Sequence, residues 1–343
     1  MEPTSQPTSQ PIQLALMGVG RWGTHLLRNF LAHPQIQVRA VVDPRPDQRA
    51  AIAEKFKLDA SVALFDRWQD ALTLDGLTAV AVATPATTHQ AIVTAALQQQ
   101  LHVLCEKPLT LTAATSAALC DLAQKQNRQL FIDHTYLFHP AVGAAKDHLP
   151  QLGTPRYGYA ARTNLGPIRH DVDALWDLAI HDIAMFNYWL GETPLRVQAQ
   201  GLQWLPRPEV HLADVVWLRL HYPSGFEATI HVSWANTHKQ RQAVMVCDLG
   251  SVIFDEMQPD SPLVLKLGQP DPETWQPQNL DTISLNVPDR EPLATMCNHF
   301  VNSVLTNQPC PISSGTVGTK LVAILEPLSR SLTRDGIWIA VDY

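Results

Sequence analysis

The stretch I-Q-L-A-L-M-G-V-G-R-W-G, from Ile12 to Gly23, decides the fold of this chain. Its first half is an apolar run that predicts a buried strand, and its second half spaces three glycines as G-x-G-x-x-G. In this pattern Gly18 makes a tight turn and Gly20 lets the backbone approach a pyrophosphate. Gly23 lets the following helix pack against the strand. The stretch therefore predicts a strand, a phosphate-binding turn and a helix.

The residues between these glycines complete the predicted cradle for a dinucleotide. A helix that begins near Arg21 offers free N–H groups and the positive end of its dipole to the phosphates. Val19 and Trp22 lie in the same turn. We therefore expect Val19, Arg21 and Trp22 to contact the cofactor together with the three glycines.

A second apolar run, Val38–Val42, ends in an acid, Asp43. At this position a carboxylate accepts hydrogen bonds from the hydroxyl groups of the adenosine ribose and repels a 2′-phosphate, which favours NAD over NADP. Arg45 lies close enough for a rotated side chain to neutralise a phosphate. The sequence thus predicts NAD as cofactor and leaves NADP open.

Apolar runs and helical patterns alternate from Ile12 to about Asp133, which is typical of a parallel sheet with crossover helices. After about Tyr136 one helical stretch is followed by alternating strand-like runs and two late helices. We predict an α/β chain with an N-terminal Rossmann domain and a C-terminal α+β domain whose large sheet is mostly antiparallel. The expected boundaries are a disordered tail at 1–11, a dinucleotide-binding domain at 12–133 and a substrate-binding domain at 134–343.

Composition narrows the class of partner. The 343 residues carry a formal charge of -7 and contain no block of Lys or Arg, so nucleic acid and anionic membranes are not expected partners. No apolar run approaches the roughly 20 residues of a membrane helix. Five cysteines stand without a C-x-x-C pair, which indicates neither a disulfide framework nor a zinc site. We expect a cytoplasmic protein that acts on small molecules.

The next strand end reads A-T-P-A-T-T-H, from Ala83 to His89. Thr84 and Pro85 stand where a switch-point loop would shape the region around the nicotinamide ribose, and His89 lies near the first turn of a helix. We expect all three residues to contact the cofactor. Pro85 is equally suited to the first position of that helix. Both interpretations of Pro85 stay open at this stage.

The run V-L-C-E-K-P, Val103 to Pro108, places Lys107 directly after a buried strand. Hydride transfer from a carbinol needs a group that takes the hydroxyl proton, and a lysine amine can hydrogen-bond the reacting oxygen. Glu106 is expected either to pair with Lys107 or to contact the ribose of the cofactor. The alternative for Lys107 is a solvated loop lysine.

The segment W-D-L-A-I-H-D, Trp176 to Asp182, carries a second group of reactive side chains. On a helix Asp177 and His181 stand at i and i+4 and share a face, whereas Asp182 is turned about 100° away. A carboxylate and an imidazole on one face can bind a sugar hydroxyl and relay its proton. The alternative, and the better interpretation of the pair by itself, is an ordinary surface pair. No third metal ligand has a convincing position, so no metal is predicted.

Taken together these motifs resemble the glucose–fructose oxidoreductase, inositol dehydrogenase and rhizopine catabolism family of NAD(P)-dependent oxidoreductases, abbreviated Gfo/Idh/MocA. The resemblance extends over essentially all of 12–343. Its marks are the glycine turn, Thr84-Pro85 with His89, the E-K-P of 106–108 and the Asp177/His181 helix. A further mark is H-V-S-W-A-N-T-H-K-Q-R, from His231 to Arg241.

The resemblance implies roles that the residues alone do not fix. Lys107 and His181 become the catalytic pair, with Asp177 orienting the substrate. Relatives act on cyclic polyols, free sugars, nucleotide-linked sugars and a few other substrates. The open face of the C-terminal sheet would meet another subunit, which implies a homodimer or homotetramer.

A looser match, A-R-T-N-L-G-P-I-R from Ala161 to Arg169, is similar to a subgroup found among nucleotide-sugar enzymes. Arg162, Asn164 and Arg169 are therefore candidates to face a sugar or its phosphates, since guanidinium suits bidentate phosphate recognition. They are equally candidates for interface or surface residues. His134 and Tyr136 complete the list of expected substrate-binding residues, although Tyr136 is as well suited to core packing.

The leading hypothesis is an NAD-dependent sugar oxidoreductase that acts at a ring carbinol. One alternative is an NADPH-dependent reductase of ketosugars or dihydrodiols. Another is a nucleotide-binding regulator that keeps the fold without chemistry. The presence of both Lys107 and His181 argues against the regulator, because a sensor has no need of a proton relay.

Overall fold

The computed structural model describes residues 10–207 and 212–343 of the chain. Most of the predicted tail therefore lies outside the described residues. The chain divides into two compact units. The first comprises Met1–Thr110, Ala114–Asp133 and Leu293–Thr316, and the second comprises Leu111–Ala113, His134–Pro292 and Val317–Tyr343. The predicted boundary leaves Leu293–Thr316 in the second domain, whereas the structure groups this segment with the first unit.

Fifteen strands lie within the described residues, six in the first unit and nine in the second. They are β1 (Ile12–Met17), β2 (Ile36–Val42), β3 (Ala63–Phe65), β4 (Ala79–Val82), β5 (His102–Glu106), β6 (Leu130–Asp133), β7 (Pro155–Leu165), β8 (Arg196–Leu202), β9 (Val215–His221), β10 (Glu227–Ser233), β11 (Ala235–Cys247), β12 (Gly250–Asp255), β13 (Leu263–Pro270), β14 (Pro277–Ser284) and β15 (Ile339–Ala340).

The first helix of the described part of the chain follows the first strand. The helices of this part are α1 (Arg21–Ala32), α2 (Pro46–Phe56), α3 (Trp68–Ala71), α4 (Ala86–Gln98), α5 (Ala113–Lys125), α6 (Pro140–His148), α7 (Ile180–Leu190), α8 (Pro292–Thr306) and α9 (Gly315–Leu332). A π-helical turn at Leu175–Ala179 leads directly into α7.

The sheet of the first unit is parallel, with the order β3-β2-β1-β4-β5-β6. Its strands are buried nearly throughout because crossover helices cover both faces, which explains their continuous apolar runs. The strand order reverses between β1 and β4, and in doubly wound sheets a ligand binds beside such a reversal at the carboxyl ends of the strands. The predicted Rossmann architecture is confirmed, and β3, which has only three residues, is an addition to it.

The late helix α8 supplies apolar cover to the sheet of the first unit. Phe300 is fully buried and meets Phe131 of β6 edge to face, with ring centroids 5.8 Å apart. The Ser313 hydroxyl donates to the carbonyl of Ile132 at 2.5 Å, and Ser314 bridges to Phe131. This segment therefore completes the first core from about 160 residues further along the chain.

The second unit is built on a nine-strand sheet with the order β14-β13-β12-β11-β7-β10-β9-β8-β15. Its pairs are antiparallel except for β10 and β7, which run parallel. The mostly antiparallel α+β sheet predicted from sequence is confirmed. Its central strand β7 is absent from the predicted set, because Pro155–Leu165 mixes Gly, Arg and Asn with apolar residues and lacks a clean alternation.

One face of this sheet is covered by α7. A Cβ added at Gly158 of β7 would lie 2.6 Å from the ring of Phe186 on α7, so the helix packs directly on the strand. Tyr157 and Tyr159 flank Gly158 and point the other way, at 52% and 46% exposure. The second face is therefore open among the described residues of this unit.

Candidate functional site

The glycine turn between β1 and α1 is held by contacts that exclude side chains. Gly18 has φ +89, and a Cβ there would lie 2.6 Å from the carbonyl oxygen of Ala83. A Cβ at Gly23 would lie 2.1 Å from the carbonyl oxygen of Gly18. These two approaches bring the start of α1 onto the ends of β1 and β4.

Gly20 differs from its neighbours because nothing lies within 4 Å of the position where its Cβ would stand. It precedes α1, whose start has no side-chain cap, and no acidic residue lies in the first turn. The N–H groups of the first turn have no partner within the helix itself, which suits them to an anion. The turn formed by Gly18, Val19, Gly20, Arg21, Trp22 and Gly23 therefore fits the pyrophosphate of a dinucleotide.

Asp43 follows β2 and is buried, with 3% exposure. Its carboxylate accepts hydrogen bonds from the Val19 N–H at 3.2 Å, the Arg45 N–H at 3.1 Å, and Arg45 Nε and Nη2 at 2.9 and 3.0 Å. Burial alone would raise the pKa of Asp43, but the hydrogen bonds from Arg45 and Val19 outweigh it and lower the pKa. The group is thus a carboxylate that ties the glycine turn to β2.

The loop after β4 is short and leads into α4. Pro85 stands at the N-cap of this helix and Ala86 is its first residue, so Pro85 precedes the N1 position considered from the sequence. The hydroxyls of Thr84 and Thr88 lie 2.7 Å apart. His89 is 1% exposed, and its ring nitrogens face backbone carbonyl oxygens rather than solvent. Thr84 and Pro85 therefore border the strand-order reversal, whereas His89 is internal.

Two carboxyl groups meet at the ends of β5 and β6. Glu106 and Asp133 are paired in register and are 8% and 1% exposed. Burial, followed by the charge of Asp133 and a hydrogen bond to it, raises the pKa of Glu106 well above its usual range, and Lys107 partly offsets this. Trp22 Nε1 donates to Asp133 Oδ2 at 3.0 Å. Glu106 therefore meets the Asp133 carboxyl as well as Lys107, a neighbour that the pairing with Lys107 considered from the sequence did not include.

One oxygen of this acid is available to a ligand. Glu106 Oε1 is buried and has no hydrogen-bond partner among the described residues. A buried oxygen of this kind is costly unless a ligand or water satisfies it. Its position beside Lys107 at the carboxyl end of β5 fits the ribose contact predicted for Glu106. Asp133 is a site residue that sequence reasoning missed, although it ends an apolar strand just as Asp43 does.

Asp177 lies in the π-helical turn and His181 lies in the first turn of α7. Turns of this type are frequent at functional sites. Asp177 Oδ2 accepts from Trp234 Nε1 at 3.3 Å, and Asp177 Oδ1 lies 3.5 Å from Arg169 Nη1. Both Asp177 and His181 are half-buried. The turn therefore presents a carboxylate and an imidazole that remain accessible, and Trp234 orients the carboxylate.

Tyr136 packs against His181, with ring centroids 4.8 Å apart. Its hydroxyl donates to Glu256 Oε2 at 2.8 Å, and burial raises the pKa of that hydroxyl. Tyr136 therefore borders the His181 imidazole within the second unit. His134, expected beside it as a substrate residue, is buried at 1% exposure.

The prediction that Arg162 faces a phosphate group or the surface is wrong. Arg162 is 1% exposed and forms a bidentate ion pair with Asp182, at 2.8 and 3.0 Å. Its guanidinium also lies 4.0 Å from the centre of the Tyr136 ring. Burial alone would lower the pKa of Arg162, but the charge of Asp182 outweighs it and raises the pKa. Asp182, turned away from His181 on the helix, is thus the residue that anchors α7 to β7.

The other two candidates of this segment have different surroundings. Asn164 accepts from Arg241 Nη2 at 2.7 Å and donates to the Gly166 carbonyl at 2.7 Å. Arg169 pairs with Asp171 at 2.7 Å and reaches Asp177 as described above. Arg169 is therefore the candidate that the second unit brings next to Asp177, whereas Asn164 organises the end of β7.

A glycine turn suited to pyrophosphate, a buried acid directly after β2 and a lysine at a parallel strand end are typical of nucleotide-dependent oxidoreductases of the Rossmann class. Residues 12–134 match the oxidoreductase family with an NAD-binding Rossmann fold, Gfo/Idh/MocA, and residues 155–253 match the C-terminal domain of the same family. The chain belongs to the Gfo/Idh/MocA oxidoreductase family, as its motifs predicted.

Named relatives include dehydrogenases of sugars. The chain is 32% identical over 196 residues to UDP-N-acetylglucosamine 3-dehydrogenase of Acidithiobacillus ferrooxidans, covering 56% of this chain and 58% of that protein. It is 28% identical to levoglucosan dehydrogenase of Pseudarthrobacter phenanthrenivorans, over 52% of this chain and 48% of that one. In sequence the chain thus spans about half the length of these curated relatives.

Solved structures agree over a larger part of the chain. A candidate oxidoreductase from Magnetospirillum magnetotacticum MS-1 superposes with a TM-score of 0.80 at 28% identity, covering 93% of this chain and 100% of that one. Levoglucosan dehydrogenase in complex with NADH and levoglucosan reaches 0.83 at 20% identity, covering 97% and 100%. At that identity the second likeness concerns the fold alone.

Across 10–207 and 212–343, no group of three or more His, Cys, Asp or Glu side chains is arranged to hold a metal ion. In the same ranges no helix is both long and apolar enough to cross a bilayer.

The Arg162–Asp182 pair yields a stability prediction. We expect Arg162→Met to lower the free energy of unfolding by about 3–5 kcal/mol, because it leaves the Asp182 carboxylate buried and uncompensated. The double variant R162M/D182L should lose less than R162M alone. Urea unfolding measures both.

A matched control lies on the same strand. Arg156 of β7 pairs with Asp248 at the surface, with 62% of its side chain exposed. We expect Arg156→Met to change the free energy of unfolding by at most about 1 kcal/mol. Equal losses for R156M and R162M would contradict the structural role assigned to the buried pair.

Proposed function

We propose that this protein is an NAD-dependent dehydrogenase that transfers a hydride between the nicotinamide cofactor and a ring carbinol of a sugar, polyol or nucleotide sugar. The observation that carries the proposal is Lys107, which directly follows β5 at the sheet edge that also bears the glycine turn. The sugar dehydrogenases among the relatives support the substrate class.

The chemistry divides between the cofactor and the side chains. When bound, the nicotinamide accepts or supplies the hydride. Lys107 is proposed to hydrogen-bond the reacting oxygen and to take or return its proton, which typically contributes about 10²–10⁴-fold to a rate. His181 is proposed as its catalytic partner and Asp177 as the group that holds a substrate hydroxyl. Arg169, Tyr136 and His134 stay proposed substrate-binding residues.

NAD is favoured over NADP by the surroundings of Asp43. Its lowered pKa keeps a negative charge where the 2′-phosphate of NADP would lie. Arg45, whose side chain is 57% exposed, is the feature that favours the NADPH-dependent reductase as a second candidate. A carboxylate offers about four lone-pair positions, and the N–H groups of Val19 and Arg45 occupy all of them. The Arg45 side chain must therefore move before Asp43 can accept ribose hydroxyls.

The variant Lys107→Ala tests the proposed role of the lysine as proton acceptor. We expect kcat to fall by about 10²–10⁴-fold with any sugar or polyol that the wild type oxidises, because the proton acceptor is lost. The dissociation constant of NADH should remain close to that of the wild type. Steady-state kinetics across a panel of cyclic polyols, free sugars and UDP-sugars, with NADH fluorescence titration, measures both.

The control for this variant is Lys125→Ala, at the exposed end of α5. It should retain full turnover. Unimpaired turnover by K107A would sink the proposed role of the lysine. Tight NADH binding by the wild type with no turnover across the whole panel would favour the regulator instead.

Cofactor choice is tested at Asp43 and Arg45. We expect the wild type to bind NADH more tightly than NADPH in calorimetry, and Asp43→Ser to weaken NADH binding by at least about tenfold, because hydrogen bonds to a charged acceptor are lost. Arg45→Ala should keep or improve NADH affinity, since it frees acceptor positions on Asp43. A wild type that prefers NADPH would overturn this interpretation of Asp43.

We also propose that the protein is a homo-oligomer through the open face of the nine-strand sheet. Tyr157, Tyr159 and Trp217 are 42–52% exposed on it, and Trp217 stacks on His231 with ring centroids 5.0 Å apart. Contiguous exposed aromatic groups of this kind mark interaction surfaces. The occupant proposed is a second copy of this chain.

Light scattering after size exclusion tests the assembly. We expect the wild type at two or four times the chain mass and Tyr159→Glu at a lower multiple, because a charge would be buried in the interface. Leu64→Glu, at an exposed position of the first unit, serves as control and should leave the mass unchanged. A monomeric wild type at micromolar concentration would contradict the proposal.

A further inference from the structure

His89 connects two loops of the first unit through a single buried ring. It is the fourth residue of α4, and side chains of a helix lean toward its N-terminus, so the ring projects back toward the loops that follow β4 and β5. Nδ1 lies 2.9 Å from the carbonyl oxygen of Pro108, and Nε2 lies 2.9 Å from the carbonyl oxygen of Thr84. Pro108 directly follows Lys107 in the chain.

The number of hydrogen-bond donors indicates the protonation state of the His89 ring. A carbonyl oxygen accepts hydrogen bonds and cannot donate them, so both bonds exist only when both ring nitrogens carry a proton. A neutral imidazole has one N–H and would leave a lone pair facing one of the two oxygens. Two hydrogen bonds from this ring to carbonyl oxygens therefore correspond to an imidazolium, in a side chain that is 1% exposed.

We propose that His89 is a positioning residue that holds Lys107 in place: its doubly protonated ring binds the Pro108 carbonyl on one side and the Thr84 carbonyl on the other. The inference rests on the proposed function, in which Lys107 handles the proton. Held at both carbonyls, the backbone next to Lys107 is fixed relative to the loop that borders the strand-order reversal.

This role differs from the cofactor contact predicted for His89 from sequence. Both ring nitrogens are engaged by backbone, so neither is left for a cofactor atom.

Asn and Gln can each replace one of the two hydrogen bonds of the His89 ring. The amide nitrogen of Asn lies near the place of Nδ1 and that of Gln near the place of Nε2. His89→Asn therefore keeps the link to Pro108, and His89→Gln keeps the link to Thr84.

The same strand offers a matched control. His102 begins β5, at the end of the strand opposite Lys107. Its Nδ1 accepts the N–H of Gln129 at 3.1 Å, so this nitrogen carries no proton. Burial lowers the pKa of His102 to about 4, which keeps the ring neutral at neutral pH. We therefore expect opposite protonation states for His89 and His102 within one domain.

The first experiment needs neither a variant enzyme nor a substrate. In ¹⁵N-histidine-labelled protein at pH 7.5, long-range ¹H–¹⁵N spectra should show both ring nitrogens of His89 as protonated and one nitrogen of His102 as unprotonated. The resonances are assigned from spectra of H89Q and H102L. A neutral His89 ring, with one unprotonated nitrogen, would overturn the double contact.

The second experiment follows Lys107 itself. The rate at which acetic anhydride modifies the Lys107 amine is measured by mass spectrometry, and NADH affinity by fluorescence. We expect H89Q to change the modification rate several-fold and to lower kcat by about 10²-fold, because a small misplacement of a catalytic group has effects of that size. H89N should keep the wild-type modification rate and bind NADH more weakly. His102→Leu should leave the modification rate unchanged.

The outcomes separate this inference from the proposed function. Equal modification rates in wild type, H89Q and H89N, or the same change in H102L, would show that His89 does not act on Lys107. Full turnover by K107A would instead refute the proposed function, and the modification rates would still report whether His89 holds the lysine.

Discussion

The close approach of the glycine turn to the end of β4 is the constraint on which the first unit depends. Gly18 and Gly23 lie where any Cβ would meet a backbone carbonyl at 2.6 Å or less. Because of these contacts, α1 starts next to the strand-order reversal, and the N–H groups of its first turn have no partner within the helix. Asp43 reinforces the turn through the Val19 N–H. The cofactor cradle is therefore a consequence of backbone packing rather than of side-chain reach.

Much of this architecture is readable from the sequence because it is local. The strand Ile12–Met17 lies in the predicted apolar run and the helix begins at Arg21 as predicted, since apolar periodicity and glycine spacing are properties of neighbouring residues. The acid at Asp43 is equally local. The family resemblance rests on such motifs, and it agrees with the profile matches over 12–134 and 155–253.

The features that sequence reasoning missed depend on partners distant in the chain. Arg162 was a candidate phosphate ligand because guanidinium suits bidentate phosphate recognition, and only the fold shows Asp182 opposite it. The same holds for Glu106, whose pKa is raised by burial and then by Asp133 on the next strand. The periodicity of a sequence can place a residue on one face of a helix or strand, but it cannot identify the residues that this face contacts. The roles of Lys107, His181 and Asp177 stay predictions, and Lys107→Ala tests the first of them.

The return of Leu293–Thr316 to the first unit has a consequence for how the protein is made. Phe300 and Ser313 complete a core whose strands end at Asp133, so the nucleotide-binding half lacks part of its interior until almost nine-tenths of the chain has been translated. Most of the second unit, His134–Pro292, lies between these segments in the sequence and emerges from the ribosome before the first unit is finished. Synthesis order and domain order are therefore interleaved, and the earliest segment to be translated is among the last to be completed.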